Sequence, residues 1–314
     1  MRQRLKFAAV ITFGLLNVDP AHGRPAPAAD PQGGLPQVQR VESIGYRLSE
    51  ASPGLCPRPR PLLGMRLHEP GSYDPQDRAQ ALATYHFARG AGVQRVVPGS
   101  AAAQAGLQSG DVIVAAGSAD LATFRTDLIG RDASYDRVAA IEALIEERIA
   151  AGEAYVMVEA PAGTNRRVEL ADRKGCVSRF LLAPDRAPAA WSDEQGVAVT
   201  PALVTLAGSD DALAFAIAHE MAHVILCHSC GKGSSLLATF GVGSKAWRAA
   251  ELEADAMALA LVGAAGFDQH AAIDLLNALE RAGLGRRTGT HPAAKHRLAA
   301  IMQLLEEARQ AAPR

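Results

Sequence analysis

Apolar residues follow two different periods along this chain. Between residues 61 and 172, short apolar runs such as 93–97 and 112–116 alternate with glycine-containing turns, which predicts β-strands. One stretch of that region, residues 138–149, repeats its apolar residues at helical spacing instead. From residue 173 onward the helical period dominates. The pattern predicts an α+β protein, with a small β-rich domain over residues 61–172 and a mainly helical domain over residues 173–314.

The helical domain is predicted to contain one strand and four helices. The first helix follows the strand and begins at the capping residues Ser209, Asp210 and Asp211. The strand is predicted over residues 196–200, and the helices over residues 210–230, 246–262, 268–282 and 293–309.

The N-terminus has the three parts of a secretory signal peptide. A basic start, residues 1–6, precedes an apolar run over residues 7–16 and small residues up to position 23. The apolar run is shorter than the ~18–20 residues that span a bilayer. We expect residues 1–23 to be removed and the chain to be exported to the periplasm without a membrane span. The alternative is an uncleaved segment that anchors the chain to the inner membrane.

Residues 24–60 are rich in Pro, Gly and Ala, which predicts a linker. Only residues 38–46 are expected to form a short ordered piece within it.

Composition limits the classes of partner. The 32 basic and 33 acidic side chains leave a formal net charge of −1, so no positive excess is present to attract a phosphate backbone. We therefore expect no nucleic-acid partner. An apolar fraction of 48% with 21% charged residues is that of a globular chain and excludes general disorder.

The predicted helix over residues 210–230 carries the run His219-Glu-Met-Ala-His223. Residues four apart lie about 40° apart on a helix, so both imidazoles project from one face and can chelate one Zn²⁺. Glu220 lies about 100° from His219 and flanks the metal, which suits a general base acting on water. A catalytic zinc also takes a third protein ligand.

That third ligand is expected within Glu251-Leu-Glu-Ala-Asp255. Glu251 and Asp255 are four apart and share a helix face, whereas Glu253 lies about 200° from Glu251 and points elsewhere. The spacing selects Glu251 together with Asp255, one as the ligand and the other behind a ligating histidine, and leaves open which is which.

These residues resemble the motifs of the gluzincin zinc metallopeptidases of the CAAX prenyl protease, HtpX and BepA type. The pattern of that family is H-E-x-x-H, then E-x-x-A-D on a later helix, then T-H-P near the C-terminus. This chain has all three, the last as Thr290-His291-Pro292. The resemblance covers roughly residues 176–300 and implies a zincin-type metallopeptidase domain.

The resemblance also implies roles for single residues. It implies one Zn²⁺ per chain, held by His219, His223 and Glu251, with Asp255 behind His219. It places His291 on a segment close to the metal, where this histidine would either restrain the enzyme as a fourth ligand or stabilise the developing oxyanion.

Residues 93–114 resemble the central signature of bacterial PDZ domains, which implies a small PDZ-like β-barrel. Such a domain adds an extended chain end to its sheet as a strand, so C-terminal peptides are expected partners. The carboxylate loop would lie near residues 63–66, and the insertion over residues 69–92 departs from a minimal PDZ domain. Because the two ends of that fold lie close together, Cys56 and Cys176 are the preferred disulfide pair of an exported chain.

Two features at the end of the helix over residues 210–230 are expected to stay outside the chemistry. His228 lies about 180° from His219 on a continuous helix, and we predict a structural role for it. Cys227 and Cys230 form a C-x-x-C that ends a helix, whereas redox pairs open one. A local disulfide or two packed thiols are both expected more than redox chemistry.

Together the motifs predict an exported zinc endopeptidase with an N-terminal PDZ-like domain. Its expected substrates are unfolded or extended polypeptides laid against the strand over residues 196–200, and its expected role is envelope protein quality control. The alternative is a PDZ-bearing binding or chaperone-like scaffold with a structural zinc, which would not need Glu220 as a base. A zinc enzyme for small non-peptide substrates also stays open.

Overall fold

The computed structural model describes residues 35–87, 89–159, 164–193, 196–228, 244–285 and 292–311. The described residues form two compact units, which we call the sheet unit (residues 59–178) and the helical unit (residues 35–58 and 179–311). The predicted signal peptide, Cys230 and His291 lie outside the described residues.

A region of β-sheet is followed by a mainly helical region, as predicted. The helices are α1 (Leu35–Ala51), α2 (Arg78–Tyr85), α3 (Ala101–Gln104), α4 (Asp136–Ala150), α5 (Pro201–Ala207), α6 (Asp210–Ile225), α7 (Ser244–Ala264), α8 (Ala271–Arg281) and α9 (Ala294–Ala311). The strands are β1 (Arg60–Pro61), β2 (Met65–His68), β3 (Ala91–Val96), β4 (Val112–Ala116), β5 (Ala119–Asp120), β6 (Tyr155–Glu159), β7 (Asn165–Glu169), β8 (Lys174–Gly175), β9 (Phe180–Leu182), β10 (Ala190–Asp193) and β11 (Gly196–Val199).

The sheet unit is built on one antiparallel sheet with the strand order β2-β3-β4-β6-β7, and β5 pairs with β4. Ile141 and Ile145 of α4 belong to the same fully buried core as Ile113 and Val156 of the sheet. The expected PDZ-like β-barrel is not closed: among the described residues, β2 and β7 end an open sheet and do not pair with each other.

The insertion between β2 and β3 forms a second, smaller core. It contains α2, and its Phe87 packs with Ala81 and with Val112 of β4. The imidazole of His68 lies edge-on to the rings of Tyr85 and Phe87, with centroids 4.6 Å and 4.7 Å away. These contacts give the insertion a packing role.

The linker predicted over residues 24–60 differs from the structure in its second half, where α1 forms. Val41, Ile44 and Leu48 of α1 are buried at helical spacing, and the helix packs on α6, α7 and β9. Gly45 permits a close approach, because an added Cβ would lie 2.2 Å from the ring of Phe180. The segment therefore contributes to the core of the helical unit.

A three-stranded sheet with the order β10-β11-β9 covers one side of α6. β11 is antiparallel to β10 and parallel to β9, so both of its edges are already paired. The expectation that an extended substrate lies against residues 196–200 is wrong for this reason. Among the described residues, the outer edge of β10 is the unpaired strand edge of this sheet that lies next to α6.

Candidate metal centre

Helix α6 runs through the interior of the helical unit. The Ser209 hydroxyl caps it by accepting a hydrogen bond from the Ala212 amide, and Asp210 and Asp211 favour its N-terminus through the helix dipole. From Ala212 to His223 every side chain is buried. The histidines of this helix are therefore held in fixed positions inside the protein.

Three buried side chains converge on one point beside α6: His219 and His223 from α6, and Glu251 from α7. Nε2 of His219 lies 3.2 Å from Nε2 of His223. The Glu251 carboxylate oxygens lie 3.3 Å from Nε2 of His219 and 3.4 Å from Nε2 of His223. The donor atoms of these side chains thus approach to 3.2–3.4 Å, with a different oxygen of Glu251 facing each imidazole, and we call the three side chains the donor triangle.

This triangle fits a zinc ion. Tetrahedral zinc with bonds of 2.0–2.2 Å to nitrogen and oxygen separates its ligand atoms by about 3.4 Å, close to the 3.2–3.4 Å of these contacts. Two imidazoles and one carboxylate are also the ligand set of many catalytic zinc sites, which leave a fourth position open.

Asp255 and Arg297 fix the orientation of His219. Nδ1 of His219 lies 2.9 Å from Oδ1 of Asp255, so its proton is held there and the lone pair of Nε2 faces the triangle. The Arg297 guanidinium donates to both carboxylate oxygens of Asp255, at 2.8 Å and 2.6 Å. Burial opposes ionisation of Asp255, but Arg297 and His219 outweigh it and hold the pKa of this carboxyl below its usual range.

Glu220 lies next to the triangle without belonging to it. Its Oε2 accepts a hydrogen bond from the Ser192 hydroxyl of β10, 3.0 Å away. Burial, with the Glu251 charge adding to it, raises the pKa of Glu220 to about 7 against the opposing effect of His219. A carboxylate with this pKa can take up and release a proton near neutral pH.

The end of α6 turns His228 toward His223. The His228 amide donates to the His223 carbonyl and the Cys227 amide to the Val224 carbonyl, which are the two bonds of a Schellman turn. Cys227 takes the left-handed conformation (φ 57°) that glycine usually supplies in this turn. As a result, Nδ1 of His228 lies 2.9 Å from Nδ1 of His223.

The structure brings His219, Glu220, His223, Glu251 and Asp255 together at one place, and their roles as ligands, base and supporting group stay predictions. Of the cysteines, Cys56, Cys176 and Cys227 are each disulfide-bonded.

Sequence analysis missed Arg297, which completes the support of His219. Arg297 lies with Ala294 and Ile301 on the buried face of α9. A basic residue at a position of helical apolar spacing is the signal that could have identified it.

Comparison with protein families agrees with this geometry. The model of peptidase family M48 matches residues 166–243 and 232–305, and the model of the PDZ domain matches residues 92–128. These matches confirm the predicted resemblance to zinc metallopeptidases with a PDZ-like domain, and they support a metallopeptidase. Searches of curated proteins and of solved structures found no match.

Proposed function

Starting from its matches to peptidase family M48 and to the PDZ domain, we propose that this chain is a zinc-dependent endopeptidase acting on extended polypeptides. The observation that carries the proposal is the position of Glu220 beside the donor triangle of His219, His223 and Glu251. A purely structural zinc site has no use for a buried carboxylate beside it. A scaffold without catalytic activity is therefore the weaker alternative.

Zinc bound by the triangle would supply a Lewis acid that polarises the scissile carbonyl and lowers the pKa of water. Ser192 holds Oε2 of Glu220, which leaves Oε1 as the atom that accepts the proton of the attacking water. The same atom then delivers this proton to the leaving amide nitrogen.

The substrate chain is proposed to pair with the outer edge of β10. β11 cannot take it because both of its edges are occupied, whereas β10 is an outer strand and contacts α6. A peptide added there as a strand would lie along the helix that carries the H-E-x-x-H run. Strand pairing recognises the backbone of the substrate more than its side chains, and this favours unfolded or extended substrates.

The test compares the wild type with Glu220→Gln on an unfolded reporter protein, with the zinc content of each measured. The variant should keep its zinc and lose cleavage, because Glu220 occupies no ligand position. Glu307→Gln, an exposed change on α9, is the matched control and should cleave like the wild type. Loss of zinc from Glu220→Gln, or cleavage at the wild-type rate, would contradict the assignment.

Export and a role in envelope protein quality control are part of the proposal. Export rests on the order of basic, apolar and small residues within residues 1–23, and the quality-control role rests on the proposed cleavage of extended polypeptides. Within the described residues, no helix is long and apolar enough to cross a membrane. Mass spectrometry of the native protein should find an N-terminus near residue 24; an intact residue 1 in a membrane fraction would favour an anchored chain instead.

The PDZ-like domain is proposed to bind peptides that end in a free carboxylate. β2 is the terminal strand of its sheet, and the loop before it is fixed, because Gly64 O accepts from the Val97 amide and the Ser100 hydroxyl. Free-acid peptides should bind the full chain at micromolar or weaker Kd. Equal binding of amidated peptides would show that no carboxylate cradle exists.

A further inference from the structure

We propose that His228 is the positioning residue of the metal ligand His223, and that Glu253 fixes the tautomer of His228. The inference rests on the proposed function only through the metal, since it concerns how one ligand is held and not which bond is cleaved. His228 is not one of the three groups of the donor triangle. It acts on the metal only through His223.

The protons of His223 and His228 have one placement that satisfies the hydrogen bonds from His223 through His228 to Glu253. His223 can bind a metal through Nε2 only when its proton is on Nδ1. That Nδ1–H then donates to Nδ1 of His228, 2.9 Å away, so the proton of His228 is on Nε2. Nε2 of His228 in turn donates to Oε2 of Glu253, 3.2 Å away. Each donor therefore meets an acceptor, and the lone pair of His223 Nε2 is directed at the triangle.

The backbone explains why His228 reaches His223. A Schellman turn brings the second residue beyond the helix back onto the last turn, where it usually makes an apolar contact. Here the two imidazoles make that contact, with ring centroids 5.0 Å apart and planes at 68°. The left-handed Cys227 between them sets this geometry.

The two histidine ligands are consequently held by unequal supports. His219 is backed by Asp255 and Arg297, both buried. His223 is backed by His228, of which 10% is exposed, and then by Glu253, of which 71% is exposed. Water can replace the exposed carboxylate only in part, so a change at Glu253 should weaken metal binding several-fold, which is less than the effect of a change at His228.

The experiment titrates Zn²⁺ into the full-length apo-protein against a competing chelator. His228→Phe keeps an aromatic ring but provides no acceptor, and its zinc affinity should fall by roughly 10–100-fold. His228→Gln offers a carbonyl acceptor to His223 and should recover most of the affinity. His270→Phe, which changes a histidine whose side chain is 72% exposed, is the matched control and should bind zinc like the wild type.

The denaturation midpoint of each apo-protein separates positioning from folding, because loss of positioning weakens zinc binding without lowering that midpoint. Wild-type affinity in His228→Phe, an equal loss in His270→Phe, or no recovery in His228→Gln would overturn the inference. If His228→Phe does not fold, Glu253→Ala decides: a loss of several-fold supports the inference and an unchanged affinity overturns it.

Failure of the proposed function gives a different result. A wild-type chain that binds zinc, responds to these substitutions as expected and cleaves no polypeptide would overturn the peptidase and leave the positioning role intact. A wild-type chain that binds no zinc would overturn both.

Discussion

Replacing Arg297 should destabilise the helical unit and weaken its metal site together. Arg297→Met keeps the length of the side chain and removes its charge. The carboxylate of Asp255, only 1% exposed, would then lose the two hydrogen bonds at 2.8 Å and 2.6 Å and its countercharge. Removing one partner of a buried ion pair costs about 3–5 kcal/mol, which in a unit of this size lowers Tm by roughly 10 °C.

The pH dependence of this loss has a definite sign. In the wild type, the pKa of Asp255 is held below its ordinary value, so its ion pair stabilises the fold at neutral pH and is lost as pH falls through that lowered pKa. In the variant His219 alone opposes burial, the largest influence, so the pKa of Asp255 should be higher than in the wild type. Acid then neutralises the uncompensated carboxylate, so the difference in unfolding free energy between wild type and variant should shrink as pH falls from 7.

The assay is chemical denaturation of the apo-protein at several pH values, paired with zinc titration against a chelator. Zinc affinity of Arg297→Met should fall by about 10–100-fold, since His219 loses its fixed orientation. Arg309→Met removes an exposed arginine from the same helix and should change neither quantity measurably. The double variant with Asp255→Leu should recover much of the stability but not the zinc affinity.

Wild-type stability in Arg297→Met would refute the argument. A double variant no more stable than the single one would refute it as well, because the cost is then not that of an unpaired buried charge.

Three other predictions concern different parts of the chain. Ser192→Ala should keep its zinc and lower kcat more than it changes KM, as measured by steady-state cleavage, because Oε2 of Glu220 loses its donor; a wild-type kcat would contradict this role. Burial first, and then Arg95 and Arg66, lower the pKa of His68 to about 4. Because the unfolded state then binds the proton more readily than the folded state, the free energy of unfolding should drop by about 3 kcal/mol as pH falls from 6.5 to 4. Hydrogen exchange of β2 and β3, corrected for intrinsic rates, measures that drop, which should be absent in His68→Phe. Peptide mapping without reductant should recover Cys56 linked to Cys176; either cysteine linked to another partner would refute this pairing.

The sequence was sufficient to predict which candidate site residues lie together when those residues belong to one helix. His219 and His223 are four residues apart on α6, as Glu251 and Asp255 are on α7, and helical spacing alone puts each pair on one face. The relation between the two helices came from the family resemblance, because local periodicity carries no information on which faces meet.

Three features of the structure could not be predicted, because they depend on a turn or on long-range contacts that the apolar periodicity of the sequence does not specify. The predicted position of His228 required a continuous helix, but α6 ends at Ile225 and Cys227 turns the chain without the glycine that signals such a turn. The pairing of Arg297 with Asp255 spans 42 residues. The central position of β11 depends on β9, whose pairing partner no local pattern specifies.

The position of Arg297 on α9 gives the metal centre an order of assembly during protein synthesis. The ribosome makes both histidines, Glu251 and Asp255 before it makes Arg297, so a nascent chain has all three residues of the donor triangle before it has the guanidinium that neutralises Asp255. Until α9 docks, burying that carboxylate is unfavourable, and the histidine it orients stays solvated and mobile. For the endopeptidase proposed above, full zinc affinity then arises only once α9 has folded onto the site.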